Sequence, residues 1–352
     1  MTALLPGLTA RRVTTDRLTL NTITRDGIPT GEPVLFVHGN VSSSLFWQHT
    51  MLHLPDGYRP IAMDLRGFGD SDPLPVDATR GVRDFSDDLA ALVASLRLDT
   101  YHLVGWSMGG GVALQHLIDH PAAVRTVTLV NPVSPYGFGG TRGADGQLCD
   151  PSAAGSGGGA ANPEFVHRLA AGDRSADDQL SPRQVMLSAY VKPPHVPDLA
   201  DVYVESMLST RVGDDNYPGD VVTTDAWPGV APGKHGVLNA ISPLYFRLDS
   251  LPGIDPKPPI CWIRGADDQI VSDTSLFDLA YLGSLGVVPG WPGDTIAPPQ
   301  PMTTQTRAML DRYAEAGGSY QEVVIADAGH SPHIEKPAEF LTTLTHALQA
   351  AG

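Results

Sequence analysis

Short apolar runs with strand character alternate with amphipathic helical stretches, and they do so in two separated blocks. In the first block Pro33-Val34-Leu35-Phe36-Val37, Pro60-Ile61-Ala62-Met63, Tyr101-His102-Leu103-Val104 and Val127-Thr128-Leu129-Val130 read as buried strands. Each is followed by a turn: His38-Gly39-Asn40, Asp64-Leu65-Arg66-Gly67, Gly105 and Asn131-Pro132. Between them, Phe85 to Leu96 places Leu89, Leu92, Val93 and Leu96 at helical spacing, as a helix covering a sheet requires. Repeated strand–helix–strand units demand right-handed crossovers and hence a mostly parallel sheet. The alternation from Val13 to Ile23 fits an antiparallel hairpin at one edge. The pattern resumes at Ile260-Cys261-Trp262-Ile263 and Val323-Val324-Ile325, and helix signals run from Pro337 to Ala350.

The two blocks therefore predict one sheet interrupted by a long insertion. The core is expected over residues 1–134 and 256–352, with a mainly helical cap over 135–255. Amphipathic pieces within the cap lie near Pro163–Ala171, Pro182–Val191, Leu199–Leu208 and Val237–Phe246. Its first part, Gly137 to Ala161, is rich in glycine, so ordering it costs much backbone entropy. A mobile gate is expected there. A further insertion spans about 273–319, and its proline density predicts an ordered but irregular loop.

Bulk properties exclude several classes. With 352 residues and 42 % hydrophobic residues the chain can build a full core, and 18 % charged residues rules out a disordered chain. A net charge of −16 argues against a nucleic-acid partner. The two cysteines, Cys149 and Cys261, support neither a disulfide framework nor a thiolate metal site. No signal peptide and no apolar run of spanning length are visible, so a cytoplasmic protein without a membrane partner is expected.

The chemistry concentrates at strand ends. Gly105-Trp106-Ser107-Met108-Gly109 fits G-x-S-x-G, with an apolar strand before it and a helix, Val112 to Leu117, after it. A serine on that turn faces helix N-terminal amides that favour developing negative charge. It needs a base. His330, in Asp327-Ala328-Gly329-His330-Ser331-Pro332-His333, follows the last strand, and Gly329 permits close approach; His333 is its competitor. The imidazole needs a carboxylate to hold its tautomer. Gly265-Ala266-Asp267-Asp268 offers two candidates. His38-Gly39-Asn40-Val41 follows the first parallel strand, where an amide aimed at an oxyanion is required; the Asn40 and Met108 amides are expected to form that pair. His38 is expected to brace the loop. Trp106 and Val41, beside these groups, are expected substrate contacts. Met186, Tyr190, Met207 and Leu208 are expected to supply an apolar pocket or plain cap core.

In combination these motifs resemble the α/β-hydrolase fold family. Ser107, Asp268 and His330 stand in that family's order of nucleophile, acid and base, and Asp64-Leu65-Arg66-Gly67-Phe68-Gly69-Asp70-Ser71 looks like another of its signatures. The resemblance covers about residues 15–134 and 256–350. It implies an eight-stranded-type, mostly parallel sheet flanked by helices, with a cap inserted after the sixth strand. It also selects Asp268 over Asp267. Acid and base stand 62 positions apart, about twice the spacing of simple members, so the second insertion is expected to add to the pocket roof. His38-Gly39-Asn40 with a tryptophan beside the nucleophile is similar to haloalkane dehalogenases, but there the tryptophan follows the nucleophile whereas Trp106 precedes Ser107, and those enzymes and epoxide hydrolases use aspartate where Ser107 stands. The implied activity is hydrolysis of a carboxylic ester or lactone of a small, largely apolar molecule, without metal or organic cofactor. Amide, thioester or carbon–carbon bond hydrolysis and perhydrolysis use the same residues. A non-catalytic small-molecule receptor is the alternative from another class. Substrate identity and oligomeric state are not legible.

Overall fold

In the computed structural model, which describes residues 4–350, the apolar runs assemble into one eight-stranded sheet. Its strands are β1 (Leu8–Thr14), β2 (Thr19–Arg25), β3 (Glu32–Val37), β4 (Tyr58–Met63), β5 (Tyr101–Trp106), β6 (Val124–Val130), β7 (Ile260–Gly265) and β8 (Tyr320–Ile325). They lie in the order β1-β2-β4-β3-β5-β6-β7-β8. Only β1 and β2 run antiparallel to their neighbours, at the edge where the alternating pattern stood. All six residues of β5 are buried, as a continuous apolar run in the middle of a parallel sheet must be.

Helices α1 (Arg83–Ser95) and α2 (Met108–Asp119) cover the sheet. Leu89 and Leu92 of the former are fully buried, so the helical spacing read from the sequence marks the packed face. Register decides where function can lie. Val37 pairs with Gly105, Trp106 with Val130, Val130 with Ile263 and Gly265 with Ile325. The carboxyl ends of β3, β5, β6, β7 and β8 are therefore level, and the loops that follow them meet at one rim of the sheet. Open α/β sheets hold their ligands at that rim.

Residues 135–255 leave the sheet after β6, the sixth strand, and return at β7. Helix α3 (Pro163–Ala171) is capped by Asn162, whose side chain accepts from the amides of Glu164 and Phe165, and it ends on left-handed Gly172. Helix α4 is Ala200–Leu208. The amphipathic reading of Val237–Phe246 is too long: the helix stops at Ala240, two residues before the Ser242-Pro243 step that could not continue it.

The glycine-rich stretch is not the loose gate its composition predicts. Tyr136, Ala153 and Ser156 are buried, and Thr141–Arg142 pairs with Gln147–Leu148 as a small hairpin. Side chains of the second insertion satisfy its backbone. Gln300 Oε1 accepts from the Gly139 amide, and Gln300 Nε2 donates to the Gly137 carbonyl at 3.0 Å. Gln305 Nε2 donates to the Gly143 carbonyl at 3.0 Å, and Gln305 Oε1 accepts from Ser134. Both glutamines are buried. The second insertion also departs from a plain loop, because residues 302–315 form helix α5 (Met302–Glu315), which buries Met309, Leu310 and Tyr313. Among the described residues no helix is long and apolar enough to cross a membrane.

Candidate active site

Ser107 sits between β5 and α2 with φ 55° and ψ −123°, a conformation that L-residues adopt only where their surroundings impose it. The surroundings are tight. A side chain on Gly109 would lie 2.4 Å from the Val37 carbonyl oxygen, and one on Gly105 would lie 2.3 Å from the Gly109 oxygen. The turn thus exists because glycine flanks the serine on both sides. Met108 opens the helix, so its amide has no partner within that helix.

Across the rim, His330 Nδ1 lies 2.9 Å from Asp268 Oδ2, and both side chains are buried. The other oxygen of Asp268 accepts from the amides of Ile270 and Val271 at 2.8 and 3.1 Å, which fixes the carboxylate. Asp267 points away to Lys192, 2.9 Å distant at the surface. The loop carrying His330 comes so close to β7 that a side chain on Gly265 would strike the Gly329 carbonyl. Ser107, Met108, Asn40, Val41 and His330 all line one cavity of about 560 Å³.

Comparison with known proteins bears on the fold. The family model described as alpha/beta hydrolase fold matches residues 32–152. An esterase from Exiguobacterium antarcticum superposes over 97 % of this chain and 100 % of its own with a TM-score of 0.61 at 17 % identity. The chain has the α/β-hydrolase fold. Two curated relatives match only part of the chain. "Probable lysophospholipase BODYGUARD 4" of Arabidopsis thaliana is 41 % identical over 108 residues, which is 30 % of this chain and 25 % of that protein. "AB hydrolase superfamily protein YisY" of Bacillus subtilis is 34 % identical over 107 residues, 30 % of this chain and 39 % of that protein. The matched part thus spans well under half the length of either relative.

Several groups position the rim. His38 is fully buried: its Nε2 accepts from the Leu65 amide at 2.9 Å and its Nδ1 faces the Gly39 carbonyl at 2.7 Å. Burial lowers its basicity, so it is a neutral brace, as expected. Asp64 accepts from the Ser44 amide, the Asn21 side chain and the Asp70 amide at 2.8–3.0 Å, tying the loop after β3 to the loop after β4. Tyr190 lines the cavity, and its hydroxyl donates to the Asn40 carbonyl at 2.9 Å.

Trp106 requires correction as a substrate contact. It is fully buried and is not among the residues lining the cavity; it stacks on Phe46, and its indole N–H donates to the His330 carbonyl at 2.8 Å. A residue pointing opposite to Ser107 along the strand faces the core beneath the rim. Val41 does line the cavity. Met186 and Met207 are fully buried core residues outside the cavity lining, and Leu208 is only packed against the core.

Two positioning residues escaped the sequence reading. Asn131 Nδ2 donates to the carbonyls of His330 and Gly329 at 2.8 and 3.1 Å, while its Oδ1 accepts from the Gly265 amide at 3.2 Å. It joins the ends of β6, β7 and β8. Glu335 is buried and accepts from the amides of Gly329, Ser331 and Lys192 at 2.7–3.2 Å, holding the chain on both sides of His330. The only sequence signals were an asparagine ending a strand and a glutamate after the histidine. An amide cannot replace a carboxylate that takes three N–H groups. Glu335→Gln should therefore lose about 2 kcal/mol of unfolding free energy and lower kcat about tenfold with KM little changed. Wild-type stability and kcat in that variant would show the loop to be held by other means.

His333, the competitor of His330, is buried between Trp47 and Trp106, with ring centroids 4.4 and 5.0 Å away, and neither ring nitrogen has a hydrogen-bond partner. Burial pushes its pKa down to about 3, and that of His116 down to about 4. Both stay neutral in the fold, while the unfolded chain takes up protons below its own pKa of about 6.5. Their stabilising effect is complete above that pH and is lost as pH falls toward 4, by about 1.4 kcal/mol per pH unit for each histidine. Urea titrations of His333→Leu should show a shallower loss between pH 6.5 and 4 than wild type. An unchanged slope would mean that His333 is protonated in the fold.

Proposed function

We propose that the chain is a serine hydrolase that cleaves a carboxylic ester or lactone. The observation that carries this reading is the buried Asp268–His330 hydrogen bond at the rim where Ser107 stands on its constrained turn, with serine and histidine opening into one cavity. An imidazole whose Nδ1–H is held by a carboxylate presents Nε2 as a base in the right tautomer. Ser107 Oγ attacks the ester carbonyl as His330 takes its proton. The amides of Asn40 and Met108 receive the charge on the tetrahedral oxygen, and His330 then protonates the leaving alcohol. Water, deprotonated by the same histidine, releases the acid from Ser107.

The names of similar proteins, an esterase and a probable lysophospholipase among them, support ester chemistry. Ser107 speaks against the displacement and epoxide-opening chemistry of relatives that carry aspartate there. A receptor role would not need the Asp268–His330 pair to be retained. On this reading residues 135–255 act as a cap, and the enzyme works as a soluble protein on a small molecule, with no nucleic-acid partner. A fluorophosphonate probe is expected to label Ser107 and to abolish turnover of an activated ester in proportion. Labelling at another serine, or turnover persisting after full labelling of Ser107, would refute the assignment.

A further inference from the structure

The acidic chain encloses a cavity without a charged wall. Net charge is −16, yet no Asp, Glu, Lys or Arg stands among the described residues that line the 560 Å³ space above Ser107. Apart from the rim groups, its walls are mainly aliphatic and aromatic. One wall comes from the cap, through Phe138, Phe165 and Leu180. The other comes from the chain directly after Asp268: Ile270, Val271 and then Leu276, Phe277, Leu282 and Val287 of the second insertion.

That second wall is built at a cost. Leu276, Phe277 and Val287 line the cavity and are also 41 %, 40 % and 64 % exposed. Apolar side chains left in water at a cavity mouth gain stability only when something apolar covers them. A space of this size is also far larger than an acetyl group needs, since pockets of roughly 300–1,000 Å³ bury most of a drug-sized ligand.

We infer that the site, read as an ester hydrolase, is selective for esters bearing an extended, uncharged apolar group of roughly six to twelve carbons. That group lies between the cap and the 270–288 segment and reaches the mouth at Phe277 and Val287. Each methylene moved from water into such a wall is worth about three- to fourfold in binding. A carboxylate at the end of the same chain would be buried opposite no cation, and is rejected by roughly a hundredfold or more. The extra length between acid and base thus serves as a specificity wall attached directly to the residue that orients the base.

Binding to the Ser107→Ala protein tests this without relying on turnover. Calorimetry should show methyl decanoate bound at least 30-fold more tightly than methyl butanoate, and monomethyl sebacate, of the same length but with a terminal carboxylate, at least 100-fold more weakly than methyl decanoate. In the unaltered enzyme kcat/KM for p-nitrophenyl esters should rise at least tenfold from acetate to decanoate. In Phe277→Ser and Val287→Ser, both at exposed positions, the decanoate-to-acetate ratio should fall at least fivefold. Equal binding of butanoate and decanoate, or equal binding of the neutral and charged esters, would overturn the proposal. Failure of the hydrolase reading itself is seen separately, as absence of fluorophosphonate labelling at Ser107 in a protein that still discriminates the methyl esters.

Discussion

Ser107→Ala and His330→Ala are expected to remain folded and to lose ester turnover by roughly 10³–10⁶-fold in kcat, with little change in the affinity for substrate. The effect is large because nucleophile and base act as one unit: without the imidazole the hydroxyl is a poor nucleophile, and without the hydroxyl the imidazole has nothing to activate. The double variant should therefore be no worse than either single one. Stability offers a second, independent reading of the same turn. Ser107 holds φ 55°, which glycine adopts freely and alanine does not. Ser107→Gly should be inactive yet more stable than Ser107→Ala by about 1 kcal/mol. Steady-state kinetics and urea unfolding measure the two effects, and substantial kcat in either single variant would remove Ser107 or His330 from the mechanism.

Asp268→Asn is expected to lower kcat by roughly 10³–10⁴-fold, whereas Asp267→Asn should cost less than threefold. The contrast follows from where the two neighbouring side chains point. Asp268 is buried against His330 Nδ1 and is itself held by the amides of Ile270 and Val271. Changing it to an amide leaves the shape but lets the imidazole take the wrong tautomer. Asp267 forms a surface ion pair with Lys192, of a kind worth little in water. The reverse ranking of kcat would show that the other carboxylate orients the base.

The sheet was legible because each strand is a continuous apolar run ended by a turn residue, and parallel order follows from the helices between them. That Ser107, Asp268 and His330 stand at one rim was legible for the same reason: they follow strands, and the loops are too short to carry them elsewhere. Asp268 itself needed the family's order, since spacing alone left Asp267 open. Trp106 was misread because adjacency in sequence says nothing about side, and successive residues of a strand face opposite ways. Asn131 and Glu335 were invisible as positioning residues, because their partners are backbone amides and carbonyls that leave no mark in composition. Helix α5 was hidden by its polar Thr-Gln-Thr-Arg stretch, which separates Met302 from Met309, Leu310 and Tyr313 on the buried face. The stretch from Gly137 to Ala161 was misjudged because the groups that order it stand some 160 positions away in the chain.

Gln300 and Gln305 also limit how this scaffold can be recombined. Each buried amide bonds across the two insertions, Gln300 to Gly137 and Gly139 and Gln305 to Thr141 and Gly143, so neither insertion is an independent module. A chimera that takes residues 135–255 into a related scaffold without residues 273–319 would leave the buried Gly137 carbonyl and the buried Gly139 amide without their partner. Transplanting both segments together preserves every one of those bonds. Recombination is therefore expected to succeed for the pair and to fail for either half, and the two insertions should be inherited, shuffled and redesigned as one unit.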